Sequence, residues 1–183
     1  METKNFEIES AKSNIDWIGR KVTGAHNGTI GIKEGTLTFN DDQLSTGKLV
    51  IDTTSIKILD VTDPATNAQF AGHLASDDFF NSSQYPEAAL VITSAEPKGS
   101  NVYHIGGDLT IKGITHPIGF EAHVDRADDS VSASGKIVID RTKYEMKFRS
   151  GNFFKDLGDT LIYNDFELNV TITAKAIAQP ALA

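Results

Sequence analysis

The chain has no cysteine in 183 residues. That removes disulfides, thiol catalysis and thiolate metal sites together. It also has no basic surplus, since the net charge is -8 and the longest basic cluster is Arg20-Lys21. Nucleic acid and anionic membrane surfaces both need a positive stripe, so neither is an expected partner. No apolar run approaches the roughly 20 residues of a spanning helix. The N-terminal METKNFEIESAKSNIDW is charged throughout and shows no apolar h-region of a signal peptide. On that reading the chain is cytoplasmic as it stands, or periplasmic if a leader has been removed.

Catalytic and metal motifs are also missing. The histidines, His26, His73, His104, His116 and His123, never fall at HxH or HxxxH spacing, and no metal site is expected. Asp77-Asp78 and Asp128-Asp129 are adjacent carboxylates, whereas acid–base chemistry needs carboxylates converging across a cleft. They read as a turn after a helix and a solvated hairpin tip. No GxSxG elbow surrounds any serine. Neither a catalytic residue nor a cofactor is assigned.

What is present is alternation. A hydrophobic share of 39% and a charged share of 23% suit one globular domain over residues 1–183. Ile15, Trp17 and Gly19 share a strand face. Leu49 and Ile51 share another. Val131, Ala133, Gly135, Ile137 and Ile139 form a series, as do Phe166, Leu168, Val170, Ile172 and Ala174. Extended chain is expected over 29–33 and 36–39, and strands over 44–52, 88–95, 102–111, 115–124, 131–139 and 162–174. His26-Asn27-Gly28 reads as a turn and Glu34-Gly35 as a break. Thr62-Asp63-Pro64 reads as a helix start, with Phe70 and Leu74 on one face at i and i+4, giving one inserted helix over about 64–75. Many strands and one helix predict an all-β fold, an antiparallel barrel or a sandwich. The glycines at 19, 47 and 135 and Ala133 leave lumen space or serve strand curvature.

Four stretches carry a family resemblance: Trp17-Ile18-Gly19-Arg20-Lys21-Val22-Thr23-Gly24-Ala25-His26-Asn27-Gly28; His73-Leu74-Ala75-Ser76-Asp77-Asp78-Phe79-Phe80 with Tyr85-Pro86; Gly107-Asp108-Leu109-Thr110-Ile111-Lys112-Gly113-Ile114-Thr115; and Ile139-Asp140-Arg141-Thr142-Lys143-Tyr144. In this order and spacing the chain resembles the YceI-like family of polyisoprenoid-binding, lipocalin-like barrels. The resemblance implies about eight antiparallel strands with a helical insertion, and an apolar cavity for an isoprenoid or similar long-chain amphiphile. It supplies no catalytic residues and admits a homodimer.

The apolar lining expected on this reading is Trp17, Phe39, Leu49, Ile51, Phe70, Leu74, Phe79, Phe80, Phe120, Ile137, Ile139, Tyr144, Phe148, Phe153, Phe154, Phe166 and Leu168, with ordinary core packing as the competing reading for each. Of the adjacent pairs Phe79-Phe80 and Phe153-Phe154, extended backbone would turn only one member inward. Arg20, His26 and Arg141 are candidate polar anchors for a head group, but the sequence favours structural roles for them, ion pairing or backbone bonding for the arginines and turn stabilisation for His26. Non-enzymatic binding or transport of a lipid is the expected function. The alternatives are an enzyme acting on a lipid held in the barrel, and a structural barrel with a filled core.

Overall fold

The computed structural model describes residues 2–150, 157 and 161–177. Nine strands and one helix follow in chain order: β1 (Thr3–Ile8), β2 (Asn14–Lys21), β3 (Gly24–Asn40), β4 (Gln43–Ile58), α1 (Pro64–Ala75), β5 (Glu87–Gly99), β6 (Val102–Ile111), β7 (Ile114–Arg126), β8 (Ser130–Asp140) and β9 (Ile162–Ala176). From β2 onward each strand pairs antiparallel with the next, and β9 pairs back onto β2. The sheet is closed, so its edges are satisfied.

β1 occupies no stave of its own. It pairs with the far halves of β3 and β9, in line with β2. The pair make one stave, interrupted by a 3-10 turn at Ser10–Lys12. Thr173 on β9 holds this interruption, accepting from the Glu9 amide at 2.8 Å and donating its own amide to the Ser13 hydroxyl at 3.1 Å. The barrel therefore has eight staves, as the sequence predicts. β1 carries only Phe6 and Ile8 as buried alternating residues, too short a pattern to read in advance.

The remaining strands follow their alternation. On β6, Tyr103, Ile105, Gly107, Leu109 and Ile111 turn inward. β6 and β7 are joined by Lys112 and Gly113, both at positive φ (55° and 72°). That is the two-residue turn whose twist matches the strands on either side.

Two expectations are corrected along β3. His26-Asn27-Gly28 and Glu34-Gly35 lie inside one 17-residue strand, and the turn falls earlier, at Val22-Thr23. The glycines mark close approaches. A Cβ on Gly28 would stand 2.6 Å from the Trp17 ring and 1.8 Å from the Lys57 carbonyl oxygen; on Gly35 it would meet Ile8 at 2.6 Å. Register shifts at Thr29/Gly31 and Ile32/Glu34 coil the strand here rather than ending it.

The two barrel ends differ. At one, the β3–β4, β5–β6 and β7–β8 turns are short. There Phe6 and Phe39 meet edge to face at 5.3 Å. The Arg126 guanidinium lies 5.4 and 5.3 Å from their rings and pairs with Asp42. Phe39 is fully buried in this plug.

The other end carries the long connections. α1 spans Pro64–Ala75, as the sequence predicts. Asp63 caps it, accepting from the Thr66 amide at 2.9 Å. The Asn67 amide group donates to the Ile58 and Val61 carbonyls at 2.9 and 3.0 Å, fastening the helix to the end of β4. No helix is long and apolar enough to cross a membrane among the described residues.

Candidate functional site: a lidded apolar cavity

Beneath α1 the barrel is hollow. A cavity of about 530 Å³ is walled by Ile15, Trp17 and Gly19 on β2, Ile30 on β3, Ile51 and Ile56 on β4, Leu109 and Ile111 on β6, Ile139 on β8, and Phe166 and Leu168 on β9. The lid adds Phe70 and Leu74 from α1, Phe79 and Phe80 from the following turn, and Met146 and Phe148 from the segment after β8. A space of about 60 Å³ lies towards the plugged end, lined among others by Leu37, Leu49, Phe120 and Ile137. Ile15, Ile51, Leu109, Ile139 and Leu168 line both spaces and form the neck between them.

Gly19 is the wall residue that leaves room. A Cβ built there meets nothing within 4 Å, whereas at Gly47 it would crowd Leu37 (2.9 Å) and at Gly135 the Glu121 carbonyl (3.1 Å). Of the small inward residues, Gly19 therefore opens the lumen, and Gly47 and Gly135 serve close packing.

The lid rests on polar fastenings. Nδ1 of His26 lies 2.7 Å from the Asp60 carboxylate, and its ring packs on Phe70 at 4.8 Å. Burial raises the Asp60 pKa, but the Asn27 amide and His26 outweigh it and hold the carboxyl below its usual range. His73 pairs likewise with Asp78 at 2.8 Å, its ring against Phe79 and Phe148. Lys112, in the β6–β7 turn, donates to the Asp77 carbonyl at 2.7 Å and the Glu145 carbonyl at 3.2 Å, tying both halves of the lid to one hairpin. The Ser82 hydroxyl donates to the Thr53 carbonyl at 2.9 Å.

Arg141 is 3% exposed. Its guanidinium donates to the carbonyls of Tyr163 (2.9 Å), Ile162 (3.0 Å) and Met146, and lies 5.9 Å from the Phe79 ring. Burial lowers its pKa, opposed by the charge of Asp140. Arg20 is engaged with Glu167 at 2.8 Å, and that hydrogen bond holds the Glu167 carboxyl below the usual range. Among the described residues, no three His, Asp or Glu side chains converge on a metal position.

Ten of the expected lining residues face the main cavity: Trp17, Ile51, Phe70, Leu74, Phe79, Phe80, Ile139, Phe148, Phe166 and Leu168. Arg20, His26 and Arg141 also line it. Leu49, Phe120 and Ile137 line the smaller space. Phe39 and Tyr144 line neither: Phe39 belongs to the plug, and Tyr144 is buried beside His116, ring centroids 5.3 Å apart. Phe153 and Phe154 lie outside the described residues. Phe79 and Phe80 both face the cavity, contrary to the alternation expected of them, because residues 77–80 form a turn and the two-residue period holds only in extended chain. Missed by the sequence reading were Ile30, inside the extended stretch expected over 29–33 but not assigned to the lining, Ile56, beyond the strand expected over 44–52, and Met146 and Arg149, in irregular chain without a period.

A closed eight-stave antiparallel barrel with a lidded, apolar interior is a lipocalin-like fold. A YceI-like domain model matches residues 6–174, and the chain belongs to the YceI-like family. It is 30% identical over 155 residues to Protein YceI of Escherichia coli O157:H7, covering 83% of this chain and 74% of the relative. It is also 30% identical over 115 residues to a UPF0312 protein of Shewanella denitrificans, covering 62% and 58%. Among solved structures, Burkholderia cenocepacia BcnA superposes with a TM-score of 0.73 at 20% identity, over 91% of this chain and 98% of that one. A polyisoprenoid binding domain from Saccharophagus degradans superposes with 0.67 at 12% identity, over 94% and 98%.

Proposed function

We propose that this protein is a non-catalytic carrier that holds one long-chain amphiphile of the isoprenoid type inside the barrel, tail towards the neck and head under the lid. The observation that carries the reading is the apolar cavity of about 530 Å³ with an open wall at Gly19. A methylene is close to a water in size, and a water takes about 30 Å³ of liquid, so the space suits a tail of about 18 carbons. At about 0.8 kcal/mol per buried methylene such a tail supplies up to about 14 kcal/mol before association and ordering costs. That is ample for specific binding without a dedicated polar site. The shared barrel of the Saccharophagus degradans protein, a polyisoprenoid binding domain, supports the ligand class.

A carrier reading also suits the titratable groups of the wall. Both lining histidines are engaged with aspartates that hold the lid in place.

Trp17 is the one tryptophan of the chain and stands in the cavity wall, so its fluorescence reports occupancy. Titration of delipidated protein with geranylgeraniol is expected to give a saturable change with one ligand per chain. A flat titration, with native mass spectrometry showing unliganded protein, would contradict the proposal.

A further inference from the structure

The mouth of the cavity carries charge of the wrong sign for the rest of the molecule. The chain has a net charge of -8, yet the cavity is lined by Arg20, Lys21, Arg141 and Arg149 against one carboxylate, Asp165. Arg20 is neutralised by Glu167. The remaining three cations outnumber Asp165 by two among the described residues. Nearby Asp60 and Asp78 are occupied by His26 and His73.

Arg141 is the most telling of these. It is buried, and among the described residues no carboxylate lies within ion-pair distance of its guanidinium. Of its five N–H donors, three are taken by backbone carbonyls. A carbonyl supplies a dipole, not a charge, so the desolvated cation lacks the partner that buried charges ordinarily have. Lys21 lines the same opening, and its ammonium has neither hydrogen bond nor ion pair among the described residues. Arg149 stands at the lid, its guanidinium 5.0 Å from the Phe148 ring.

We infer that the cavity selects an amphiphile whose head is an oxyanion, a carboxylate or a phosphate, held at the mouth by the Arg141 guanidinium with Lys21 and Arg149 around it. The inference rests on the carrier reading and narrows its ligand class. Neutral heads such as alcohols fill the same apolar space but leave the Arg141 charge without a contacting anion, offset only by the neighbouring Asp140 carboxylate. An oxyanion accepts the remaining guanidinium donors, in the charge-assisted geometry that arginine favours.

Matched pairs test this: hexadecanoate against 1-hexadecanol, and farnesyl phosphate against farnesol, each titrated by Trp17 fluorescence into delipidated full chain. At least one oxyanion is expected to bind about tenfold or more tighter than its alcohol, a difference of about 1.4 kcal/mol. Which pair shows it names the head, carboxylate or phosphate. Because Arg141 also joins three segments, Arg141→Lys is compared by thermal melting first. It keeps the charge but loses the planar fork, and its oxyanion-to-alcohol ratio is expected to fall. The double variant Lys21→Ala/Arg149→Ala leaves Arg141 in place and is expected to narrow the ratio severalfold. Alcohols binding as tightly as both oxyanions would overturn the head-group inference and leave the carrier reading standing. Failure of all four probes would overturn both.

Discussion

Replacing Gly19 with phenylalanine is expected to weaken ligand binding about a hundredfold while leaving the barrel folded. The position has three properties that together make this a sharp test. It lines the main cavity, a Cβ there meets nothing within 4 Å, and its φ lies outside the range that favours glycine. A side chain added there projects into the space the tail would occupy. Displacing three or four methylenes of tail at about 0.8 kcal/mol each costs about 3 kcal/mol, or about a hundredfold in affinity. Stability should hold or rise, because glycine within a strand is about 0.5–1 kcal/mol worse than alanine. Thermal melting and the geranylgeraniol titration, run on the same preparations, check both halves. A variant that melts early, or that binds as wild type does, would show that Gly19 is not an open wall.

The second large effect is a chain-length limit. The cavity takes about 18 carbons at the water-sized share of about 30 Å³ each, and the neck then narrows to a space of about 60 Å³. From geraniol to farnesol the ligand gains one isoprene unit, about five carbons, worth up to about 4 kcal/mol by area burial. Ordering of the longer chain reduces this, and affinity is expected to rise about a hundredfold. The step to geranylgeraniol gains less, and longer prenyl alcohols gain nothing. The variant Leu168→Ala widens the neck and should move the limit upward. Leu168 is only half-buried and faces empty space, so its loss should fall at or below the low end of the roughly 2–5 kcal/mol that core leucines cost. Affinity that keeps climbing with chain length in the wild-type protein would mean that the tail leaves the barrel elsewhere.

Much of this site can be read from residues alone, and the reason is geometric. In a closed sheet the two-residue period alone decides which side chains face the lumen, so Trp17, Ile51, Ile139, Phe166 and Leu168 follow from alternation. Phe70 and Leu74 follow from the helical period in the same way, once Asp63-Pro64 marks the start of α1. The period says nothing, however, about depth along the barrel. Phe39 alternates as a wall residue should, yet lies at the plugged end beside Phe6 and Arg126. Phe120 and Ile137 likewise point inward but below the neck.

Where the chain is irregular the period fails. Phe79 and Phe80 both face the cavity because a turn presents them together. Met146 joins the lid by way of an Arg141 hydrogen bond, and Arg149 by accepting from the Ile162 amide at 2.9 Å, contacts that depend on which segments cross at this barrel end. Lys112 shows the limit most plainly. Its sequence context, Ile111-Lys112-Gly113-Ile114, announces a hairpin tip. Its reach to Asp77 and Glu145, which makes that tip the anchor of the lid, depends on how the other loops cross the barrel end.

The central claim is that a lipid tail lies inside the barrel, between the lid and the neck. Methyl-resolved NMR of the protein with and without geranylgeraniol tests it most directly. The prediction is that Ile15, Leu109, Ile139 and Leu168, at the neck, shift on binding, while Val91 and Val138, exposed on the outer face, do not. Shifts confined to exposed methyls, with the neck residues unchanged, would place the lipid on the surface and contradict the account.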